Sequence, residues 1–178
     1  MKYGLIIIAC LTLTNMAFSQ EAKEALDKMT EFASKTGVIV KFEDYELPGI
    51  NLLYGKAQTK VRKLTSGHEA RTFYQISYEG KYGTKTASIA YEDLLEIQKA
   101  MATLKDQSTA DIDASSDYLE NKFVTEDGFK IGYYVSKSKL TWYMVLEKYG
   151  SNNTIFIKSA ESIDEALKQA KIKMNSLD

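Results

Sequence analysis

The chain contains very little cysteine, proline and histidine. Of its 178 residues, one is cysteine (Cys10), one is proline (Pro48) and one is histidine (His68). A disulfide framework and a structural zinc site built on cysteine and histidine are therefore excluded. A redox pair of cysteines is excluded for the same reason. Stability has to come from burial of apolar side chains, and the chain is long enough to form such a core.

The sequence also lacks an excess of either charge. Its 23 basic and 24 acidic residues give a net charge of −1 at pH 7. A nucleic-acid-binding protein is expected to carry a basic patch or stripe, so we predict no nucleic-acid partner. Neither the dinucleotide-binding glycine motif nor the phosphate-binding loop motif occurs, and we predict no cofactor.

No catalytic constellation is recognisable. His68 lies in the polar stretch 65–69, and no G-x-S-x-G elbow accompanies it, so we interpret it as a solvated loop residue. Asp111 and Asp113 lack the rest of a calcium-binding loop, and we predict no metal site. Carboxylates are plentiful, however, and an acid–base pair of the glycosidase type needs only two of them at a defined spacing.

The first 19 residues have the layout of an export signal. Lys2 is followed by the uncharged apolar residues 4–14, and Ala17-Phe18-Ser19 offers small residues for cleavage after Ser19. The apolar run is shorter than the roughly 20 residues of a membrane span. We therefore predict a signal peptide over 1–19, a single α+β domain over 20–178 and no transmembrane span. The protein is expected to be exported, either periplasmic or secreted, in a bacterium.

A second interpretation of the leader is a lipobox. Ile7-Ile8-Ala9-Cys10 has the required form, and lipidation of Cys10 would anchor the protein to a membrane. Only six residues separate Lys2 and Tyr3 from Cys10, which is short for an apolar region of roughly 7–15 residues. Signal cleavage at Ser19 is therefore the favoured prediction.

Helical and extended periods alternate along the rest of the chain. Apolar residues at three- and four-residue steps predict helices over 21–36, 91–105 and 160–175. Two-residue alternation predicts strands from 38 to Pro48, then over 59–64, 71–78, 84–90, 118–125, 129–136, 140–148 and 154–158. The stretch 140–146 is apolar on both faces, which indicates a central strand.

Turn and cap residues set the expected boundaries of these elements. Pro48-Gly49 is expected to end the first strand, and Asp127-Gly128 to form a hairpin. Ser162 with Glu165 fits a capping box for the last helix. The small, acidic residues 107–117 are interpreted as a linker.

The two parts of the chain resemble each other. Lys81-Tyr82-Gly83 and Lys148-Tyr149-Gly150 both follow an aromatic strand, and both precede a short strand and a helix. We predict an α+β fold with a mainly antiparallel sheet and three helices packed on it. Two similar four-strand-plus-helix halves, over 38–105 and 118–176, are the expected repeats, and chance similarity is the alternative.

Tyrosine, present 12 times, is the one feature that indicates a function. A sheet covered by helices on one face leaves its other face to water or a partner. Tyr134, Tyr143 and Tyr149 are our candidate ligand-binding residues, because tyrosine combines apolar area with a polar tip. The alternative is a purely structural role, since tyrosine is also a good strand former.

These observations favour an exported soluble binding or accessory protein and not an enzyme. Its partner is expected to be a protein, a peptide or a glycan. The alternative function is a small carboxylate-dependent hydrolase that acts on an extracellular polymer. An enzyme should show a concave pocket with close acids of shifted pKa, whereas a binder should show an exposed aromatic face. A folding partner that adds strands at a sheet edge is a third hypothesis.

Overall fold

The computed structural model describes residues 26–177, so Cys10 and the Ser19 cleavage site lie outside the described residues. The helices in this range are α1 (Lys28–Ala33), α2 (Tyr91–Asp111) and α3 (Ala160–Asn175). The strands are β1 (Val40–Asn51), β2 (Lys56–Ser66), β3 (Glu69–Gly80), β4 (Gly83–Ala90), β5 (Tyr118–Val124), β6 (Lys130–Ser136), β7 (Lys139–Val145) and β8 (Thr154–Ile157). No helix between residues 26 and 177 is long and apolar enough to cross a bilayer.

The strands form two antiparallel sheets, each followed by one helix. The first sheet has the order β1-β2-β3-β4 and the second the order β5-β6-β7-β8. The predicted α+β class and its two four-strand-plus-helix halves are confirmed, and β7 is a central strand as expected. The Asp127-Gly128 hairpin is also confirmed, with Gly128 at a φ of +86° between β5 and β6.

Both halves share one hydrophobic core, which lies on the inner faces of the sheets. α2 and α3 contact each other, and each also reaches the other half: α2 packs on β5 and β6, and α3 packs on β1, β2 and β3. The core includes Val61, Tyr74, Ile76, Ile97, Ile131, Trp142 and Leu167. Each fully buried aliphatic side chain stabilises the fold by about 1.5–3 kcal/mol. The outer face of each sheet points away from α2 and α3.

The short helix α1 covers part of the outer face of the first sheet. Asp27 caps it, because its Oδ1 accepts a hydrogen bond from the Thr30 backbone N–H at 2.8 Å. Phe32 is buried against Leu64, Phe73 and Ala90, which form a second, smaller apolar cluster. Within the described residues the predicted helix over 21–36 is therefore reduced to six residues.

The first strand continues through Pro48-Gly49, which corrects the prediction that it ends there. β1 is an edge strand, where a missing proline N–H removes no bond from the sheet. Its register with β2 shifts between Leu47 and Ile50. A Cβ atom on Gly49 would lie only 2.3 Å from the carbonyl oxygen of Ala57. The dipeptide therefore produces an irregularity in the strand, with glycine needed for the close approach of β2.

Helix α2 extends to Asp111, so residues 107–111 of the predicted linker are helical and only residues 112–117 form a connection without helix or strand. The Asn121 side-chain amide donates to Asp111 Oδ2 at 2.7 Å, and the Tyr133 hydroxyl donates to the same oxygen at 2.5 Å. Burial and the adjacent Asp111 raise the pKa of Tyr133 to about 12. These tertiary bonds hold a helix end whose local composition favours a loop.

The predicted capping box of α3 is wrong. The helix begins at Ala160, and the N-cap is Ser159, whose Oγ accepts from the Ser162 backbone N–H at 3.4 Å. Glu165 instead accepts a bond from Gln169 Nε2 at 2.7 Å. Burial of Ala160 places the helix start one turn before the expected cap.

Candidate functional site

The second sheet carries apolar residues on both of its faces. On β6, Ile131, Tyr133 and Val135 point into the shared core, so Tyr134 points to the opposite, outer face. The same alternation applies on the neighbouring strands. We call the set that lines a shallow depression of about 270 Å³ on this side the aromatic face: Tyr118, Glu120, Lys122, Lys130, Tyr134, Tyr143, Val145, Thr154 and Phe156.

Aromatic rings from all four strands meet on the aromatic face. Tyr118 stacks on Tyr134, with 5.9 Å between ring centroids and 23° between ring planes. Tyr134 also lies 6.3 Å from the Tyr143 ring, and it meets Phe156 edge to face at 6.4 Å and 82°. Aromatic pairs of this kind contribute about 0.5–1.5 kcal/mol beyond their buried area. Tyr134 is the central ring of the group.

Tyr143 is the most buried ring of the aromatic face, and its hydroxyl group binds the Glu120 carboxylate. It is only 5% exposed. Its hydroxyl donates to Glu120 Oε1 at 2.5 Å, and Lys122 Nζ donates to Oε2 of the same carboxylate at 3.1 Å. The Tyr143 bond lowers the pKa of Glu120. Burial, and then the bond to Glu120, raise the pKa of Tyr143 above its ordinary value. The result is a fixed, ionised carboxylate among the rings.

Gly132 brings β5 and β6 unusually close beneath this site. A Cβ atom at residue 132 would lie 2.2 Å from the carbonyl oxygen of Asn121 and 2.8 Å from Lys122 Cα. Both contacts are with backbone atoms, which cannot move aside as a flexible side chain can. Gly132 pairs with Lys122 on one side and with Tyr143 on the other. The glycine therefore lets Tyr143 and Glu120 approach each other across β6.

The structure brings two of the three predicted site residues together. Tyr134 and Tyr143 share the aromatic face, although the burial of Tyr143 leaves it little area to offer a ligand. Tyr149 lies in a separate cleft, lined also by Asp27, Asp127 and Lys148. It is 56% exposed there. Tyr149 therefore does not contribute to the aromatic face.

Sequence reasoning missed Tyr118 and Phe156. Both are on the same face as Tyr134, and Phe156 is 37% exposed. The sequence did contain a signal for Phe156. Side chains alternate between the two faces of a strand, and Phe156 lies between Ile155 and Ile157, which belong to the core, so it points to the outer face. Which strands are neighbours, and so which rings meet, depends on the sheet order.

Close carboxylates occur around Lys28, where they hold α1 in place. The Lys28 backbone N–H donates to Asp127 Oδ2 at 3.1 Å, and Lys28 Nζ donates to Asp93 Oδ1 at 2.7 Å. Burial, and then the nearby Asp93 charge, raise the pKa of Asp127, while the bond from Lys28 opposes this shift. Asp27 is engaged as the cap of α1. The three carboxylates thus have structural partners, and they give no support to a carboxylate-pair hydrolase.

The other chemistry-bearing residues are also accounted for. His68 is exposed in the turn between β2 and β3. Asp111 accepts bonds from Asn121 and Tyr133. Between residues 26 and 177, no group of three histidine, cysteine or acidic side chains is placed to hold a metal ion. The aromatic face is therefore the best-supported site.

Replacing Glu120 by glutamine should make the free energy of unfolding less dependent on pH in the acidic range. A carboxyl group whose pKa is lowered on folding contributes stability above its unfolded pKa of about 4.3, and this contribution disappears as the pH falls. We expect Glu120→Gln to lose about 1 kcal/mol at pH 7 and nearly nothing at pH 3. Urea unfolding at the two pH values measures the difference, with the exposed Glu96→Gln as control. An equal loss at both pH values would contradict the assignment.

Comparisons of this chain with protein-family models, with curated proteins and with solved structures find no match.

Proposed function

We propose that this chain is an exported binding protein, and that its aromatic face binds a polypeptide segment of a partner protein. The observation that carries the proposal is the aromatic face itself. Tyr118 is 56% exposed, Val124 is 45% exposed and Phe156 is 37% exposed, and all three lie on the same uncovered side of the sheet. Contiguous exposed apolar side chains with a polar rim are typical of interaction surfaces.

The two halves of the fold differ in what covers their outer faces. In the first half, α1 buries Leu64, Phe73 and Ala90 with Phe32. The nearby uncovered part of that sheet is charged, with Asp44 paired to Arg62 at 2.6 Å. In the second half, the described residues place no helix over the aromatic face. The aromatic residues therefore lie where the first half uses a helix to exclude water.

The arrangement of the rings favours a polypeptide over a glycan. A sugar ring stacks on a flat aromatic face that lies open at the surface. Here Tyr118 and Tyr134 cover each other's faces, and Tyr134 meets the Phe156 ring edge to face. A ligand can therefore contact the edges and hydroxyl groups of the rings and the gaps between neighbouring rings. Such surfaces suit the irregular side chains of a protein, in which tyrosine anchors are common.

Charged groups around the rings provide polar contacts for the partner. Lys122 and Lys130 lie beside the ionised Glu120 on the depression. A buried aromatic centre with a polar, solvent-accessible rim is the usual composition of a protein–protein interface. Both signs of charge are present, so recognition does not depend on a strongly charged partner.

Photo-crosslinking in the producing cell tests this proposal. A photoreactive amino acid at position 156 should give one crosslinked polypeptide, identified by mass spectrometry. The same amino acid at position 82 or 149, on exposed tyrosines outside the aromatic face, should not give that product. The identified polypeptide, once purified, should bind the purified protein. Binding to a polysaccharide panel that is lost on Tyr134→Ser would overturn the proposal in favour of a glycan.

Export is part of the same proposal and has its own measurement. The mass of the protein purified from outside the cytoplasm should correspond to a chain that begins at Gln20. A chain that begins at a lipidated Cys10 would show membrane anchoring instead. An intact chain that begins at Met1 in the cytosol would contradict export.

A further inference from the structure

Two of the four sheet edges within residues 26–177 are obstructed, and a third is interrupted. The interrupted edge is β1, which is regular over residues 40–47 and then contains Pro48 and a shift of register. At β8, the Leu53 backbone N–H donates to the Phe156 carbonyl at 2.8 Å. At β4, the Thr86 backbone N–H is bound by Glu147 Oε1 at 3.3 Å. Obstruction of this kind prevents a sheet edge from pairing with another chain.

The fourth edge, β5, is open. In the part of the chain that the structure describes, β5 pairs with β6 alone, and its backbone has no other backbone partner. Alternate N–H and C=O groups of Tyr118–Val124 are therefore available along its outer side. Such a row of unpaired groups is a template for another strand.

The sequence of β5 is complementary to itself. The strand reads YLENKFV, with Asn121 at its centre. Two copies paired antiparallel about Asn121 bring every side chain opposite a suitable partner. The cross-strand pairs, each formed twice, are Tyr118–Val124, Leu119–Phe123 and Glu120–Lys122.

Only this register matches the charges. Moving the two-fold axis to Lys122 puts Lys122 opposite the second copy's Lys122. Moving it to Glu120 puts Glu120 opposite the second copy's Glu120. Opposite charges placed directly across a strand pair are stabilising, and like charges are destabilising. In the Asn121 register each carboxylate gains a second ammonium group besides its own Lys122, which lies 3.1 Å away.

We propose that two copies of this chain associate through β5, paired antiparallel about Asn121, to form one continuous eight-stranded sheet. The contact is isologous, as in most homodimers, because the same strand is used by both copies. The two aromatic faces then lie side by side on the same surface of the joined sheet. The seven-residue contact is small, so we expect a dissociation constant of about 10–100 µM.

Sedimentation equilibrium of the purified protein with a charge swap tests the dimer. Glu120→Lys alone, or Lys122→Glu alone, creates two like-charge pairs and should weaken association at least about tenfold. The double variant Glu120→Lys/Lys122→Glu restores opposite charges across the strands and should restore association. Lys168→Glu, at an exposed position on α3, changes the net charge equally and should leave association within about twofold of wild type.

Three results of this experiment would overturn the proposed dimer. A wild-type protein that stays monomeric up to about 300 µM would overturn the proposal. A dimer that is unchanged by both single reversals, or a double variant that stays monomeric while folded, would also overturn it. Circular dichroism of each variant checks folding. If one of the two single-reversal variants does not fold, the other still tests the proposal. No binding partner is needed, so the result does not depend on the proposed function.

Discussion

Gly132→Ala should lower the free energy of unfolding by about 3 kcal/mol, because overpacking here meets backbone atoms. The added methyl group would lie 2.2 Å from the Asn121 carbonyl oxygen and 2.8 Å from Lys122 Cα. Relief requires β5 to move away from β6, which lengthens the hydrogen bonds between them. The same movement separates Glu120 from Tyr143. We therefore expect the variant to lose the pH-dependent contribution of Glu120 as well.

Gly80→Ala is the matched control for this substitution. Gly80 also lies in a strand, but its nearest foreign atom to an added Cβ is Cε1 of Tyr78 at 3.5 Å, an ordinary contact. Alanine restricts the unfolded chain more than glycine does, so this change should be neutral or stabilising by up to about 1 kcal/mol. Urea denaturation measures both variants. Equal stability of Gly132→Ala and wild type would show that the two strands are not so closely spaced.

Tyr134→Ser should weaken binding of the crosslinked partner about 30- to 100-fold. Tyr134 contacts Tyr118, Tyr143 and Phe156, so its loss disorganises the whole aromatic face. Central, well-packed tyrosines are the residues whose truncation costs an interface most, at about 2 kcal/mol or more. Isothermal titration calorimetry with the purified partner measures the change.

Tyr118 and Tyr149 form a matched pair for the same experiment, because both are 56% exposed. Tyr118→Ser should weaken binding about tenfold, since Tyr118 lies at the margin of the aromatic face. Tyr149→Ser removes an equally exposed ring from a different cleft and should leave the affinity unchanged. The reverse order of effects would transfer the binding site to the cleft that contains Asp127 and Tyr149.

Local patterns predicted most elements of the fold, because strand and helix periods depend on nearby residues. Residues 118–125 and 129–136 alternate clearly, and Asp127-Gly128 between them specifies the hairpin. The helical end of α2 was not predictable, since Asp111 is held by Tyr133 and Asn121 from later strands. The composition of residues 107–111 does not predict hydrogen bonds to residues of later strands.

The candidate site was predictable in part, for a related reason. Alternation along one strand shows that Tyr134 and Tyr143 point away from the core. It does not show that Gly132 lets Tyr143 reach Glu120, or that Tyr118 stacks on Tyr134. Those contacts join different strands, so they follow from the order β5-β6-β7-β8. Nor does composition reveal that α1 covers only the first sheet.

Fluorine NMR of protein labelled with 3-fluorotyrosine tests most directly whether the aromatic face binds the partner. Single tyrosine-to-phenylalanine variants assign the resonances. On addition of the purified partner, the signals of Tyr118 and Tyr134 should shift, and those of Tyr82 and Tyr149 should not. Shifts at Tyr82 or Tyr149, with Tyr118 and Tyr134 unchanged in the saturated complex, would contradict the proposed binding surface.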